Sequence, residues 1–182
     1  MSNLFWIDLE MTGLNPETEV IIEAAAIITD SNFKELATYE TVVKQPQIYL
    51  DRMDDWNKKH HGESGLSAKV PTGKDPSDVQ SDLVQLVTEF FPDKKSKPII
   101  AGNSIGQDRL FINKDLPDFS QLLHYRMLDV TSWKIIFNAR NIEFKKQNKH
   151  RALDDIRESI AELKFYMSHL KVPTVGTVGA RS

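Results

Sequence analysis

Two carboxylates, Asp8 and Glu10, end a short apolar run that begins at Leu4. If that run is a strand, side chains two apart share a face, so the two acids sit side by side. Adjacent carboxylates repel unless a proton or a cation comes between them, and hard divalent cations take oxygen ligands of this kind. A solvated strand edge would show the same pair, but Leu4 to Ile7 is too apolar for an exposed edge. A third acid, Asp108, follows the turn-like Gly102-Asn103-Ser104, where an aspartate ordinarily caps a helix. Further on, His150-Arg151-Ala152-Leu153-Asp154-Asp155 sets a histidine ahead of two acids. Their ordinary roles are a surface histidine and first-turn acids facing the helix dipole.

Taken in order, these residues suit phosphodiester hydrolysis. That reaction at neutral pH needs a deprotonated water and stabilisation of charge on the leaving oxygen. Two divalent ions held roughly 3.5–4 Å apart supply both. Four carboxylates from separated segments could form the cage, with Asp154 and Asp155 both open as the last of them, and His150 could take the water's proton because histidine titrates near neutrality.

The elements that must position them can be read from periodicity. Leu4 to Leu9, Val20 to Thr29 and Phe33 to Val43 read as three strands joined by the turns at Asn15-Pro16 and Asp30-Ser31-Asn32, in an antiparallel meander. VIIEAAAII has helical propensity as well. Asp75 and Pro76 open a helix with Val79, Leu83, Leu86, Val87 and Phe90 on one face. Pro98 to Ala101 reads as a brief strand before a helix from about Asp108. Tyr125 to Val130 reads as another, leading into a helix through Ile135 and Ile136. The last helix starts near Ala152, with Ile156, Ile160, Leu163, Met167 and Leu170 inside. Strands first, then alternating helices and strands, predict one α/β domain with a mixed sheet over residues 1–172, and a disordered tail over 173–182.

Composition narrows the partners. There is no cysteine, which excludes disulfides, thiolate metal sites and a cysteine nucleophile. The formal net charge of −3 is unlike a domain that grips long nucleic acid through many phosphates, so a nucleic-acid ligand should be short. No apolar run approaches the roughly 20 residues that span a bilayer. No signal or transit peptide is visible at Met1-Ser2-Asn3-Leu4-Phe5-Trp6, and a cytoplasmic location is expected.

The ordered set resembles the DEDD exonuclease superfamily in its histidine branch, which carries Asp-x-Glu, a central Asp after an Asn-containing turn, and His-x-x-x-x-Asp. Here these fall on Asp8 and Glu10, Asp108 after Asn103, and His150 with Asp155. Within it, WIDLEMTGL, MDDWNKKHH, GNSIGQDR, HYRMLDVTS and HRALDDIRESIAEL, spanning residues 6 to 164, resemble the oligoribonuclease family. The resemblance implies an RNase H-like fold with helices flanking a mixed sheet. It implies two Mg²⁺ or Mn²⁺ ions on Asp8, Glu10, Asp108 and Asp155, with Asp8 bridging and His150 the general base. It also implies that Leu14 wedges between bases while Trp56 packs on one, a contact worth about 1–3 kcal/mol for any base. Periodicity alone would make Leu14 a core contact and have Trp56 pack the helix near Met53. His61 aligns with a residue near substrate, and His60 leaves that assignment open. Ser104, Arg126, Thr131 and Ser132 resemble a cluster that meets a 5′ phosphate, and Tyr125 matches a residue reaching a partner subunit's substrate in a homodimer. Asp54 and Asp55 read as helix-terminal acids, and Lys145 to Lys149 as a solvated loop or a phosphate-attracting rim.

The function this implies is 3′→5′ exoribonucleolytic removal of nucleoside 5′-monophosphates from short RNA, dinucleotides above all, with linear diguanylate a further substrate. A DNA proofreading or repair exonuclease shares the acids. A non-catalytic RNA-binding module would be expected to have lost one of them.

Overall fold

The computed structural model describes residues 3–93, 95–145 and 152–170. Strands β1 (Leu4–Met11), β2 (Ile21–Thr29) and β3 (Glu35–Val42) form the expected antiparallel meander. Ile21 to Thr29 is strand despite its alanines because both of its faces are covered: every residue in it except Glu23 is buried. Two short strands, β4 (Ile100–Gly102) and β5 (Met127–Asp129), then add in parallel beyond β1. The sheet is therefore mixed, in the order β3-β2-β1-β4-β5.

Alternation along β1 divides the core. Phe5, Ile7 and Leu9 pack on one face against α4 (Pro76–Phe90), α5 (Ile105–Asp115) and α6 (Pro117–Leu122), through Val79, Leu83, Phe111 and Phe119 among others. Trp6 points the other way, into a cluster with Val130 of α7 (Val130–Asn138) and Ile156, Ile160 and Leu163 of α8 (Ala152–Ser168). A smaller cluster joins Val20 and Ile22 to α1 (Gln47–Arg52) and α3 (Leu66–Lys69), on either side of α2 (Asp55–Glu63).

Some boundaries move. Helix α5 begins at Ile105 rather than near Asp108, so Asp108 lies within its first turn. Met167 and Leu170 are exposed, and Tyr166 is buried in their place. The inward stripe of α8 continues from Leu163 by three residues to Tyr166, whose hydroxyl finds a buried partner, and so rotates away from Met167. Helix α6 was not anticipated, although Pro117 at its first position is a regular start signal. Asp75 occupies the cap position of α4 without a side-chain capping bond and pairs with Lys44 instead, at 3.4 Å. Among the described residues no helix is long and apolar enough to cross a membrane. The segment 173–182 lies outside the described residues.

Candidate metal centre and substrate cleft

The acids meet where the strands part. Beyond Trp6–Ala101 the pairing of β1 with β4 stops, although β1 continues to Met11. Its last turnings of chain, with Asp8 and Glu10 on the Trp6 face, are thereby directed toward the start of α8. Asp155 stands in the first turn of that helix. One carboxylate oxygen from each of Asp8, Glu10 and Asp155 lies within 4.8 Å of the others. Asp108 arrives from α5 on the opposite face. Its Oδ1 accepts a 3.0 Å hydrogen bond from the Leu9 amide, a donor that β4 no longer reaches. It is thus beside the group of three and outside its closest set.

Burial raises the Glu10 carboxyl from 4.5 to about 7, reinforced by Glu23 across the strand pair and then by Asp155 and Asp108. Burial likewise raises Asp108 from 3.8 to about 7, against the opposing effect of the Leu9 amide. Burial among other acids disfavours the charged form of each carboxyl, and a cation bound between them would favour it. Clustered carboxylate oxygens of this kind fit a hard divalent ion and fit poorly with a soft one.

Above these acids opens a cleft of about 330 Å³ whose lining includes Leu14, Trp56, Asn103 and Ser159. Leu14 is 74% and Trp56 68% exposed, so neither is the packing residue that periodicity alone suggests. Trp56 instead stacks on His60, ring centroids 4.8 Å apart at 11°. Asp54 caps α2 through the Asn57 amide, as expected of a helix-terminal acid. The Leu14 loop is pinned from α5: Gln107 Nε2 donates to the Leu14 carbonyl at 2.5 Å and Lys114 Nζ to that of Glu19 at 3.0 Å. His61 is buried, and its Nε2 lies 3.0 Å from the Met11 carbonyl. Burial pulls its pKa down. It lines a separate small cavity with Glu10 and Glu23 rather than the cleft.

A second polar group adjoins through Asn103. Ser104, in the left-handed conformation with φ 51°, donates its amide to Asp129 Oδ1 at 3.0 Å and Thr131 Oγ1 at 2.9 Å. Thr131 Oγ1 in turn donates to Asn103 Oδ1 at 3.3 Å. Ser104 and Thr131 are therefore brought together. Ser132 is exposed in the first turn of α7. Arg126 and Tyr125 are exposed as well, the guanidinium 5.1 Å from the tyrosine ring, and neither lines the cleft. His150 lies outside the described residues, two positions before the first residue of α8, as do Lys146 to Lys149. Sequence reasoning assigned no part to Gln107, Ser159 or Glu162, and left the part of His60 against His61 open. For Glu162 a signal existed: it falls seven residues after Asp155, on the stripe of α8 that must face inward.

A mixed five-stranded sheet with clustered acids at the end of its first strand is the arrangement of an RNase H-like nuclease. Helices on both faces complete that fold. The exonuclease family of RNase T type matches residues 5–163. The chain belongs to that family and, within it, to the oligoribonucleases: it is 45% identical to oligoribonuclease of Pseudomonas syringae pv. tomato over 175 residues, 94% of this chain and 97% of that one. It is 44% identical to oligoribonuclease of Francisella tularensis subsp. holarctica, over 92% of this chain and 96% of that one. A zinc-bound complex of Escherichia coli exonuclease I with single-stranded DNA superposes with a TM-score of 0.73 at 15% identity, covering 93% of this chain. The match spans 41% of that longer chain, and the likeness is one of fold.

Proposed function

We propose that the protein is a 3′→5′ exoribonuclease that hydrolyses short RNA, above all 5′-phosphorylated dinucleotides, to nucleoside 5′-monophosphates. The observation that carries the reading is the convergence of Asp8, Glu10 and Asp155 oxygens within 4.8 Å at the floor of a cleft walled by Leu14 and Trp56. The chain's family gives that convergence its reaction.

Asp8, Glu10, Asp108 and Asp155 would hold two divalent ions, Mg²⁺ or Mn²⁺, with Asp108 turning or reaching through water. Bound there, the ions supply Lewis-acid stabilisation of charge on the scissile phosphate and its leaving oxygen. His150 removes the proton from the attacking water. Trp56, backed by His60, offers a flat face to a terminal base. Leu14, held by Gln107, fills the space between successive bases. Ser104, Thr131 and Ser132 together with Arg126 receive the 5′ phosphate, Arg126 through its planar fork of donors. A pocket that ends on a phosphate favours short substrates and obstructs long ones, in keeping with the net charge of −3.

The chain acts as one exonuclease domain across residues 1–172, as a cytoplasmic homodimer in which Tyr125 reaches the partner's site. Its test is a series of 5′-phosphorylated RNAs from two to about ten nucleotides, with a long DNA single strand alongside, each assayed with Mg²⁺, with Mn²⁺ and in chelator. Fastest turnover of the dinucleotide, absent in chelator, is expected. Preference for the DNA strand would instead make it a DNA exonuclease.

A further inference from the structure

Glu162 is a charged residue with no solvent exposure, and the chemistry above does not use it. It lies on the inward stripe of α8, two turns after Asp155, amid Ile156, Ile160 and Leu163. Its Oε1 accepts from the Tyr166 hydroxyl at 3.0 Å, and its Oε2 accepts from Asn103 Nδ2 at 3.1 Å. The same Nδ2 donates to Ser159 Oγ at 2.8 Å, and Ser159 donates to the main-chain carbonyl of Asp155 at 2.9 Å. A carboxylate only accepts, so it dictates which end of the Asn103 amide faces α8 and leaves Oδ1 for Thr131. Asn103 immediately follows β4 and opens the turn into α5, the helix of Asp108.

We infer that Glu162 is a positioning residue that fixes the register of α8 against β4 and so sets Asp155 opposite Asp8 and Glu10. Apolar packing is not directional: Ile156, Ile160 and Leu163 would tolerate a small slide or rotation of the helix. A buried carboxylate bonded to an amide on another element does not, because a slide would leave a desolvated charge without its donor. One side chain thereby ties together the two helices that bring acids to the centre. The inference rests on the metal-centre reading above.

The test is calorimetric titration of Mn²⁺ alone into the metal-stripped protein, with thermal melts and dinucleotide kinetics alongside. Glu162→Leu removes the directional tie while filling the space. It should weaken Mn²⁺ binding about ten-fold, the lower end of the scale for directly bonded partners of a metal ligand, because Glu162 acts through Asn103 and Ser159. It should also lower kcat with little change in KM. Glu162→Gln can still accept from Asn103 through its carbonyl while its amide faces the tyrosine oxygen, and should recover most of the lost affinity. Should the leucine variant not fold, Glu162→Asp keeps the charge, withdraws it from Asn103, and should lose Mn²⁺ affinity several-fold, a smaller step on that scale. Wild-type Mn²⁺ affinity in whichever of Leu or Asp folds, with only the melting point lowered, would overturn the inference and leave Glu162 a purely structural group. Absence of Mn²⁺ binding to the wild-type protein would overturn the metal-centre reading itself.

Discussion

At the scale of single residues, the centre stores its own repulsion. Glu10 and Asp108 keep protons up to about 7 when folded, against 4.5 and 3.8 ordinarily. The folded chain therefore binds more protons than the unfolded one between those values and about 7, and stability must fall as pH rises through that window. Metal-free protein should melt at a lower temperature near pH 8 than near pH 5, and Glu10→Gln should flatten the decline. Mn²⁺ should raise the melting point more at the higher pH, since ligands must lose protons to bind it. A metal-free melting point equally pH-dependent in wild type and Glu10→Gln would remove Glu10 from this account. His150→Ala should reduce kcat on the order of 10²–10⁴-fold with substrate binding retained, the usual share of a general base. An unchanged kcat where chemistry limits turnover would exclude that role. Asp8 and Glu10 were legible in sequence because strand periodicity puts them on one face, and Asp155 because of its spacing from His150 in the resembled motif. The partners of Asn103 and Gln107 were not, since each contact joins segments far apart in the chain, and only Glu162 left a trace, as an acid on an inward-facing stripe.

At the scale of elements, the centre depends on β1 and β4 running close and then separating. Gly102 marks that point: a Cβ there would sit 2.9 Å from the Ile7 carbonyl and 3.2 Å from Ile105 Cδ1. The first is backbone and cannot swing aside, and it belongs to the residue before Asp8. Gly102→Ala should cost about 1–3 kcal/mol of stability, the usual scale of overpacking, and should weaken Mn²⁺ binding by moving Asp8. Loss of stability with unaltered Mn²⁺ affinity would show that β1 absorbs the strain away from the acid. The meander, α4 and most of α8 were readable because their apolar residues recur at regular spacing. The start of α5 was not, because Ser104 enters it from a left-handed conformation that no nearby residue type demands. Nor were α1 and α3, whose short apolar runs acquire a face only when Val20 and Ile22 are beneath them.

At the scale of the whole molecule, the proposed phosphate residues divide into two sets. Ser104 and Thr131 are bonded to Asn103 and through it to the cleft, whereas Tyr125 and Arg126 stand exposed beside β5, the strand at the edge of the sheet. Tyr125 is 74% exposed, its ring stacked on His124, and it lines no part of its own chain's cleft. Leu110, Met127 and Ile135, on α5, β5 and α7, are also exposed apolar residues. An exposed ring beside an edge strand suits the proposed contact with a second copy, since tyrosine offers stacking area and a hydroxyl at little entropic cost. Under a two-fold operator each subunit gives and receives the same contact. An Asp8→Ala chain has an inactive site and an intact Tyr125; a Tyr125→Ala chain has an intact centre and lacks the tyrosine its partner needs. In the proposed dimer, the intact centre of a mixed pair would receive tyrosine from the inactive partner. Mixing the two variants under subunit exchange should restore dinucleotide turnover well above the sum of the separate preparations, approaching about a quarter of wild type if association is random and one site in each mixed dimer is complete. Full wild-type activity in a preparation that sediments as a monomer would refute both the dimer and the shared site.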